Sequence, residues 1–237
     1  MNEGVLVFTI IGGFVVVAAT MVILTLQYLR RVKRELQAYA DSHGCTFSAK
    51  DTLGILKLCK DLKEFRQGSS HKVSLLVFGQ RDGVRFCFFT HEFETGSGDS
   101  TTHYNHRWLL LEGALTVPSH LWVRPENFVD RIAEMMGFDD IDFEFNQFND
   151  MYFVKADDKK TAYDFFGREV MESLVHDREK YCFEARGPLF IFSLSNLQFS
   201  VSRFDFVLGA AFGLLGKLDP LAREKFLVRP VGKATGR

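Results

Sequence analysis

The first apolar run of the chain is its longest. No residue from Gly4 to Leu29 is charged, whereas Glu3 precedes the run and Arg30 follows it. A helix needs about 20 apolar residues to cross ~30 Å of hydrocarbon, so the run is long enough to span a bilayer with some tilt. The pattern therefore predicts a transmembrane anchor with a basic collar over residues 1–34.

A helical connector is predicted over residues 35–70. The anchor helix is expected to end near His43 and Gly44, because glycine readily adopts the left-handed conformation that closes a helix. Ser48 and Asp51 then resemble a capping pair for a second helix. The apolar residues that would share one face of this helix are Ile55, Leu56, Cys59, Leu62 and Phe65.

Farther along the chain the apolar period changes to two, which is typical of strands. Three antiparallel strands are predicted at 73–78, 84–93 and 103–111, and Asp82-Gly83 predicts a tight turn between the first two. The middle strand has apolar residues on both faces, with Val84, Phe86 and Phe88 on one and Cys87, Phe89 and Phe93 on the other. We therefore expect a sheet that is covered on both sides.

The rest of the chain is predicted to add helices and strands around this sheet. The expected elements are a short helix that Pro125-Glu126-Asn127-Phe128 opens and that runs through Met136, strands at 141–145 and 151–156, a helix capped by Asp157 or Asp158, a hairpin of strands 181–185 and 189–194, and a helix at 203–218 that is apolar nearly all round. The predicted fold class is α+β, with one N-terminal transmembrane helix followed by an antiparallel-sheet-rich domain with flanking helices. The globular domain is assigned to residues 71–221 and a basic tail to residues 222–237.

Several residues in the strand-rich region form a pattern found elsewhere. They are Phe86–Phe93, Val117-Pro118 with Leu121, Arg124-Pro125-Glu126, Gly137 with Ile141-Asp142-Phe143, Phe148 with Tyr152, Asp157, and Glu184 with Gly187. In this order they resemble a group of uncharacterised bacterial single-pass membrane-anchored proteins, a family of unknown function. The resemblance covers about half of the chain and implies a shared fold and a membrane setting, without a catalytic motif.

The net charge of −1 conceals a strong charge pattern. The collar from Arg30 to Arg34 holds four cations, and residues 222–237 have a net charge of +4, so residues 35–221 have a net charge of −8. An acidic body without a concentrated basic face argues against nucleic acid as a partner. Both basic ends instead suit contact with an anionic lipid surface.

The flanks of the apolar run indicate its orientation. No positive segment precedes the run and no A-x-A site follows it, which favours an anchor over a cleaved signal peptide. Because the positive charges follow the run directly, we expect the N-terminus outside the cell membrane and the main domain in the cytosol. Cys45, Cys59, Cys87 and Cys182 show no C-x-x-C spacing and are then expected to be reduced packing residues.

A histidine–cysteine cluster on two neighbouring predicted strands could bind zinc, which prefers three or four nitrogen or sulfur ligands. Its members are Cys87, His91, His103 and His106. However, His103 and His106 must point to opposite faces of a regular strand. We therefore interpret these histidines as structural or solvated.

Clustered carboxylates could bind a cation or serve in acid–base chemistry. They are Asp139, Asp140, Asp142, Glu144, Asp157 and Asp158. Strand alternation explains Asp142 and Glu144 as a solvent face, and Asp157 reads as a helix cap. The loop from Thr95 to Ser100 lacks the lysine and the following helix of a phosphate-binding loop. No catalytic, cofactor or metal residue is assigned.

Phenylalanine is the compositional outlier, with 25 residues against 2 tryptophans and 6 tyrosines. It indicates an aromatic core, or alternatively a groove for an acyl chain or a peptide. The sequence therefore predicts a membrane-anchored, non-catalytic binding or scaffold protein without a cofactor, which contacts the bilayer and an unknown protein partner. A membrane-apposed lipid-binding module and an enzyme with an unrecognised site remain as alternatives.

Overall fold

The computed structural model describes residues 3–126 and 141–228. Its helices are α1 (Glu3–Ser42), α2 (Ile55–Leu58), α3 (Asn146–Asn149), α4 (Lys159–Phe165), α5 (Arg168–His176), α6 (Phe204–Leu215) and α7 (Pro220–Phe226). Its strands are β1 (Thr46–Lys50), β2 (Ser69–Arg81), β3 (Val84–Thr95), β4 (Thr102–Pro125), β5 (Tyr152–Ala156) and β6 (Tyr181–Leu194). The α+β class is confirmed. Of the helix predicted from Pro125 through Met136, Pro125 instead ends β4, and residues 127–136 lie outside the described residues.

Helix α1 continues without a break from the apolar run into the domain. The part from Gly13 onward is long and apolar enough to cross a membrane, and its apolar portion is not buried by the domain. Past the basic collar, Leu36 and Ala40 are fully buried in the core, while Val32 and Tyr39 are partly buried against it. This spacing of three to four residues places one face of α1 on the domain. The apolar segment and the domain are thus joined through one continuous helix.

The sheet is antiparallel throughout, in the order β1-β2-β3-β4-β5, with β6 paired to β4. The turn between β2 and β3 has positive φ at both Asp82 (50°) and Gly83 (78°), the geometry that suits a two-residue hairpin and that Asp-Gly predicted. Both faces are covered, as expected. A main core lies on the Phe86 and Phe88 face with α1 and α4–α7, and a small core lies on the Cys87 and Phe89 face.

Strand β4 continues far beyond the predicted end at position 111 and bends on the way. Gly113 has φ of 72°, and the pairing with β6 shifts register between Glu112 and Val117. The predicted hairpin at 181–194 is wrong, because β6 is one strand that pairs with both halves of β4. Gly187 lies opposite Val117 within this ladder, so it accommodates an irregularity rather than a turn.

The predicted second helix of the connector is also wrong. Residues Thr46–Lys50 pair with the edge of β2 as β1, and only α2 and a 3₁₀ turn at Lys63–Phe65 are helical. Asp51 does act as a cap, since its carboxylate accepts the backbone N–H groups of Ile55 (2.8 Å) and Leu56 (3.0 Å). Residues 51–68, which we call the strap, lie across the small core with Ile55, Cys59, Leu62 and Phe65 buried.

Residues 141–145 form no regular strand, contrary to the prediction. Ile141 and Phe143 are buried and Asp142 and Glu144 are exposed, as the alternation required. The backbone of Phe143 is bonded to the Asn149 side chain, at 3.0 Å through its N–H and 2.7 Å through its carbonyl. A local side-chain partner therefore replaces a strand partner.

The helix predicted after Asp158 is divided into α4 and α5 by Phe166 and Gly167. Asp158 caps α4 by accepting the N–H groups of Lys160 and Thr161. At the end of the described chain, α6 is mostly buried, with Phe206 42% exposed. Helix α7 packs Ala222 and Phe226 into the core, so the predicted tail boundary at 222 falls within a packed helix.

Candidate functional site

The strap is held on the sheet by a carboxylate from β6. Glu184 is fully buried and accepts the backbone N–H groups of Lys63 and Glu64, the latter at 3.1 Å. The same carboxylate lies 2.5 Å from Nε2 of His120 on β4. Glu184 therefore serves the 3₁₀ turn of the strap as an N-terminal capping group does, but from another element of the fold.

A second buried carboxylate points the other way, from the strap into the sheet. Glu64 forms an ion pair with Arg124, and both are about as fully buried as any residue of the domain. The indole N–H of Trp122 donates to Glu64 at 2.9 Å. Burial opposes ionisation of Glu64, but Arg124 and these hydrogen bonds hold its pKa below the usual range. The two carboxylates fix the strap by directional contacts as well as by its apolar residues.

The sequence alone did not predict the network formed by Glu64, Arg124, His120 and Glu184. From the sequence, Arg124 and Glu184 were named only among the residues that carry the family resemblance. Glu64 and His120 were not named. The available signal was a charged residue within an otherwise apolar strand, Leu-Trp-Val-Arg in β4 and Cys-Phe-Glu-Ala in β6. Such a residue is almost never fully buried unless it is paired.

Beside the end of the strap, the hairpin of β3 and β4 encloses a cavity of about 560 Å³, which we call the hairpin cavity. Sites for small ligands have volumes of ~300–1,000 Å³. The lining includes the amide side chains of Gln67, Asn105, Asn196 and Gln198, the rings of Phe93, Tyr104 and His106, and the guanidinium of Arg124. The lining is thus polar, with several amide donors and acceptors, and has an aromatic wall.

The aromatic wall is ordered by stacking. Phe93 and Tyr104 lie opposite each other on β3 and β4 with ring centroids 5.0 Å apart and ring planes 10° from parallel. His106 meets both rings edge-on, at 5.1 and 5.7 Å between centroids. Such stacking restricts the rings to one orientation, which keeps a flat apolar surface available in a polar site.

Several buried nitrogen atoms in and around the cavity have no hydrogen-bond partner among the described residues. Gln67 Nε2 and His106 Nδ1 belong to residues of the lining, whereas Trp108 Nε1 and His91 Nδ1 lie behind it, on side chains that contact Arg124 and Phe93 of the lining. An unsatisfied buried polar group costs about 1–3 kcal/mol. The two such atoms in the lining favour a ligand that offers hydrogen-bonding groups.

The two buried imidazoles are neutral. Burial lowers the pKa of His91 to about 3, and the neighbouring His71 and His106 act in the same direction. Burial likewise lowers the pKa of His106 to about 4. Glu64 balances Arg124, and the lining also includes Glu94, whose carboxylate lies 3.1 Å from His103, so the cavity offers no unbalanced cation to a ligand.

The cavity is close to the place where α1 leaves the domain. Arg107 follows His106 on β4 but faces the main core, where its guanidinium donates to the carbonyl of Phe199. Helix α1 packs against the 3₁₀ turn at Val201–Arg203, which follows the lining residue Gln198 along the chain. Asn196 and Gln198 flank Leu197, whose carbonyl accepts the N–H of Arg107 at 2.7 Å. The segment that carries Asn196 and Gln198 therefore continues into a contact with α1.

The histidines, cysteines and carboxylates named in the sequence analysis lie in different environments in the structure. His91 and His106 face each other on β3 and β4, whereas His103 is exposed and lies 3.1 Å from Glu94. No group of three metal-ligating side chains forms in the described part of the chain. The four cysteines are free thiols, three of them buried, in agreement with a packing role. Asp139 and Asp140 lie outside the described residues.

No protein-family model and no curated protein sequence matches the chain. Its structure is similar to the crystal structure of the mycobacterial trehalose monomycolate transport factor A, TtfA, with a TM-score of 0.53 and 15% sequence identity. The similarity covers 81% of this chain and 98% of that chain. At this level of identity the likeness concerns the fold.

Proposed function

We propose that this chain is a single-pass membrane-anchored, non-catalytic lipid-binding module. Its cytosolic domain binds the hydroxylated headgroup of a neutral lipid, such as a glycolipid, in the hairpin cavity. The observation that carries this proposal is the pair of buried nitrogens without a partner among the described residues, Gln67 Nε2 and His106 Nδ1, in a cavity with an aromatic wall.

The chemistry of the cavity favours a neutral, hydroxyl-rich ligand. A hydroxyl group both donates and accepts hydrogen bonds, and so do the amide side chains of Gln67, Asn196 and Gln198. The partly buried ring of Tyr104, which stacks on the buried ring of Phe93, suits contact with the C–H face of a sugar ring. A strongly anionic headgroup would lack a free countercharge here, because Glu64 already balances Arg124.

The anchor supports a membrane location. Helix α1 has the length and composition of a span and carries its basic collar immediately before the face that packs on the domain. This order favours an outside N-terminus and a cytosolic domain at the cell membrane. The name of the structurally similar transport factor refers to a glycolipid, which supports lipid association without identifying a lipid for this chain.

The thiols and imidazoles support a non-catalytic role. Burial raises the pKa of Cys59, Cys87 and Cys182, which keeps these thiols protonated and unreactive at neutral pH. His91 and His106 are neutral but are packed between aromatic rings. The arrangement is suited to holding a ligand.

Binding to lipid nanodiscs tests the proposal. The full-length protein is placed in phosphatidylcholine nanodiscs with or without a neutral glycosyl diacylglycerol, and headgroup contacts are measured by saturation-transfer NMR. We expect contacts with the glycolipid that weaken at least tenfold in Tyr104→Ala and Gln198→Ala. Tyr163→Ala, an exposed tyrosine on α4, is the matched control and should leave them unchanged. Equal signals in all variants, or none in the wild type, would refute headgroup binding.

The membrane setting is tested separately by fusing a cytosol-dependent reporter after Arg237 in the full chain. A cytosolic signal from the membrane fraction is expected. A soluble protein, or a reporter active only outside, would overturn the location without bearing on the chemistry of the cavity.

A further inference from the structure

A second concave site, which we call the strap cleft, lies between the strap and residues of β4, β5 and β6. It has a volume of about 640 Å³, which admits a small organic molecule, and Lys63 of the strap is part of its lining. The charged and titratable groups that line the cleft with Lys63 are Asp61 and Arg66 of the strap, His120 of β4, Lys155 and Asp157 at the end of β5, and Arg186 of β6.

Lys63 is fixed in this cleft at both of its ends. Its backbone N–H donates to the buried carboxylate of Glu184, and its Nζ lies 4.3 Å from the centroid of the Trp122 ring. The ring is itself held in place, because Trp122 is buried on β4 and donates to Glu64 at 2.9 Å. A lysine side chain is flexible when it is free in solvent. Here the amino group is positioned over a rigid surface.

The carboxylates around the cleft are paired with other side chains. The pairs are Asp61 with Arg66, Glu64 with Arg124, and Glu184 with His120. Glu184 and Glu64 still favour the charged form of Lys63, but burial acts more strongly in the opposite direction. Lys63 is therefore a partly buried amine whose carboxylate neighbours are engaged elsewhere.

The amino group of Lys63 has Lys155 as its partner. Lys155 donates a hydrogen bond to Lys63, and Asp157 favours the charged form of Lys155. An amine nitrogen accepts a hydrogen bond through its lone pair, so Lys63 takes part as the neutral amine and Lys155 as the ammonium group. Burial, the charge of Lys155 and this hydrogen bond lower the pKa of Lys63 to about 8. A desolvated lysine next to a second cation is an activated nucleophile.

We propose that the strap cleft is a covalent carbonyl-binding site, in which the amino group of Lys63 forms an imine with a neutral aldehyde. Arg66 and Lys155 already face Asp61 and Asp157, so a neutral carbonyl compound suits the cleft better than an anionic one. The site is separate from the hairpin cavity and does not depend on the function proposed for it.

The groups of the cleft are sufficient for this step. The lone pair of Lys63 attacks the carbonyl carbon, a C–N bond forms as the C=O π bond opens, and the oxygen takes a proton from Lys155. Lys155 then recovers the proton that the attacking nitrogen loses. A second proton passes the same way when the hydroxyl group leaves as water and the C=N bond forms. One amine and one aldehyde thus give one imine and one water, without an oxidant or a reductant.

Reductive trapping tests the proposal. The full-length protein in phosphatidylcholine nanodiscs is treated at neutral pH with sodium cyanoborohydride, which reduces an imine to a stable secondary amine. The aldehyde is either soluble propanal or hexadecanal in the bilayer, and peptide mass spectrometry identifies the alkylated lysines. Lys63 should be alkylated at least tenfold faster than Lys57 and Lys60, two exposed lysines of the same strap. Faster reaction with hexadecanal assigns the site to a lipid aldehyde, and faster reaction with propanal assigns it to a soluble one.

A variant and a pH profile separate activation of Lys63 from simple exposure. Lys155→Met removes the neighbouring cation and should slow alkylation of Lys63 at least fivefold, whereas Lys57→Met is the matched control and should leave it unchanged. In the wild type the rate at Lys63 should level off above its pKa of about 8, while the rate at Lys57 keeps rising with pH. Equal rates at Lys63 and Lys57, or an unchanged Lys63 rate in Lys155→Met, would overturn the proposal.

Discussion

The guanidinium carbon of Arg124 lies 5.6 Å from the centroid of the Trp108 ring, although the two residues belong to opposite halves of β4. In a straight strand they would be roughly 50 Å apart, at about 3.3 Å per residue. The bend at Gly113 brings the second half of β4 back over the first. This closure places Arg124 at the hairpin cavity, where Glu64 from the strap can neutralise it.

The ion pair of Glu64 and Arg124 is expected to be costly to break from one side only. Glu64→Gln leaves a buried guanidinium without its countercharge, which should destabilise the domain by about 3–5 kcal/mol. Chemical denaturation of the full-length protein in detergent measures this loss. The exposed pair of Arg85 and Glu112 is the control, and Glu112→Gln should cost less than about 1 kcal/mol.

Replacing both partners should cost less than the single change. Glu64→Leu combined with Arg124→Met removes the buried charges together, so part of the lost stability should return. If the double variant loses the sum of both single losses, the pair is not the interaction that fixes the strap.

Acid should destabilise the domain through His91 and His106. Their pKa values are about 3 and about 4 in the fold, against about 6.5 when unfolded, so below pH 6.5 the unfolded chain binds more protons. The free energy of unfolding is therefore highest above pH 6.5, where both imidazoles are neutral in either state. It falls as the pH drops toward 4. Unfolding free energies measured over this window should decline by a few kcal/mol.

His103→Asn is the control for this acid response, because His103 is exposed beside Glu94. It should leave the pH profile nearly unchanged. In His106→Asn the free energy of unfolding should decline less steeply between pH 6.5 and 4 than in the wild type. If the free energy of unfolding declines as steeply in His106→Asn as in the wild type, His106 does not contribute to the loss of stability in acid.

Gly68 is expected to be intolerant of a side chain. It has φ of 74°, and an added Cβ would meet the carbonyl oxygen of Glu94 at the wall of the hairpin cavity. Gly68→Ala should cost about 3 kcal/mol. Gly98 has φ of 59° with open space around it, so Gly98→Ala should cost about 1 kcal/mol. Similar thermal shifts for the two variants would contradict the close approach.

Arg223 should stabilise the end of α6. Its guanidinium donates to the carbonyls of Leu218, at 2.6 Å, and Gly216. Arg223→Met removes both hydrogen bonds and should cost about 1–2 kcal/mol. Lys225→Met, which removes a partly exposed pair with Asp164, should cost less than about 1 kcal/mol. Calorimetric melting of both variants makes the comparison.

Local patterns predicted the parts of the fold that depend on local chemistry. The uncharged run predicted the apolar part of α1, Asp82-Gly83 predicted the hairpin turn, and the alternation in β3 predicted the two covered faces. The β1 strand and the unbroken β6 could not be found in this way. Ser48 and Gly187 carry local signals for a cap and a turn, but the edge of β2 and the long β4 offered backbone partners that outweighed them.

The candidate sites could not be predicted from local sequence patterns for a related reason. The hairpin cavity joins Gln67, Tyr104, Arg124 and Gln198, which come from four separate segments. Only the bend of β4 brings them together. The hairpin histidines were interpreted from the sequence as structural or solvated; in the structure His91 and His106 lie among aromatic rings and His103 is exposed.

The most direct measurement of the central claim is photocrosslinking from within the cavity in native membranes. A benzophenone amino acid replaces Tyr104 in the full-length protein, and a second variant carries it at Tyr163, which is exposed on α4. After irradiation of intact cells, mass spectrometry identifies the adducts at each position. We predict lipid adducts with a neutral, hydroxylated headgroup at position 104 and none at position 163. Adducts only with protein at position 104, or the same lipids at both positions, would contradict a headgroup site in the hairpin cavity.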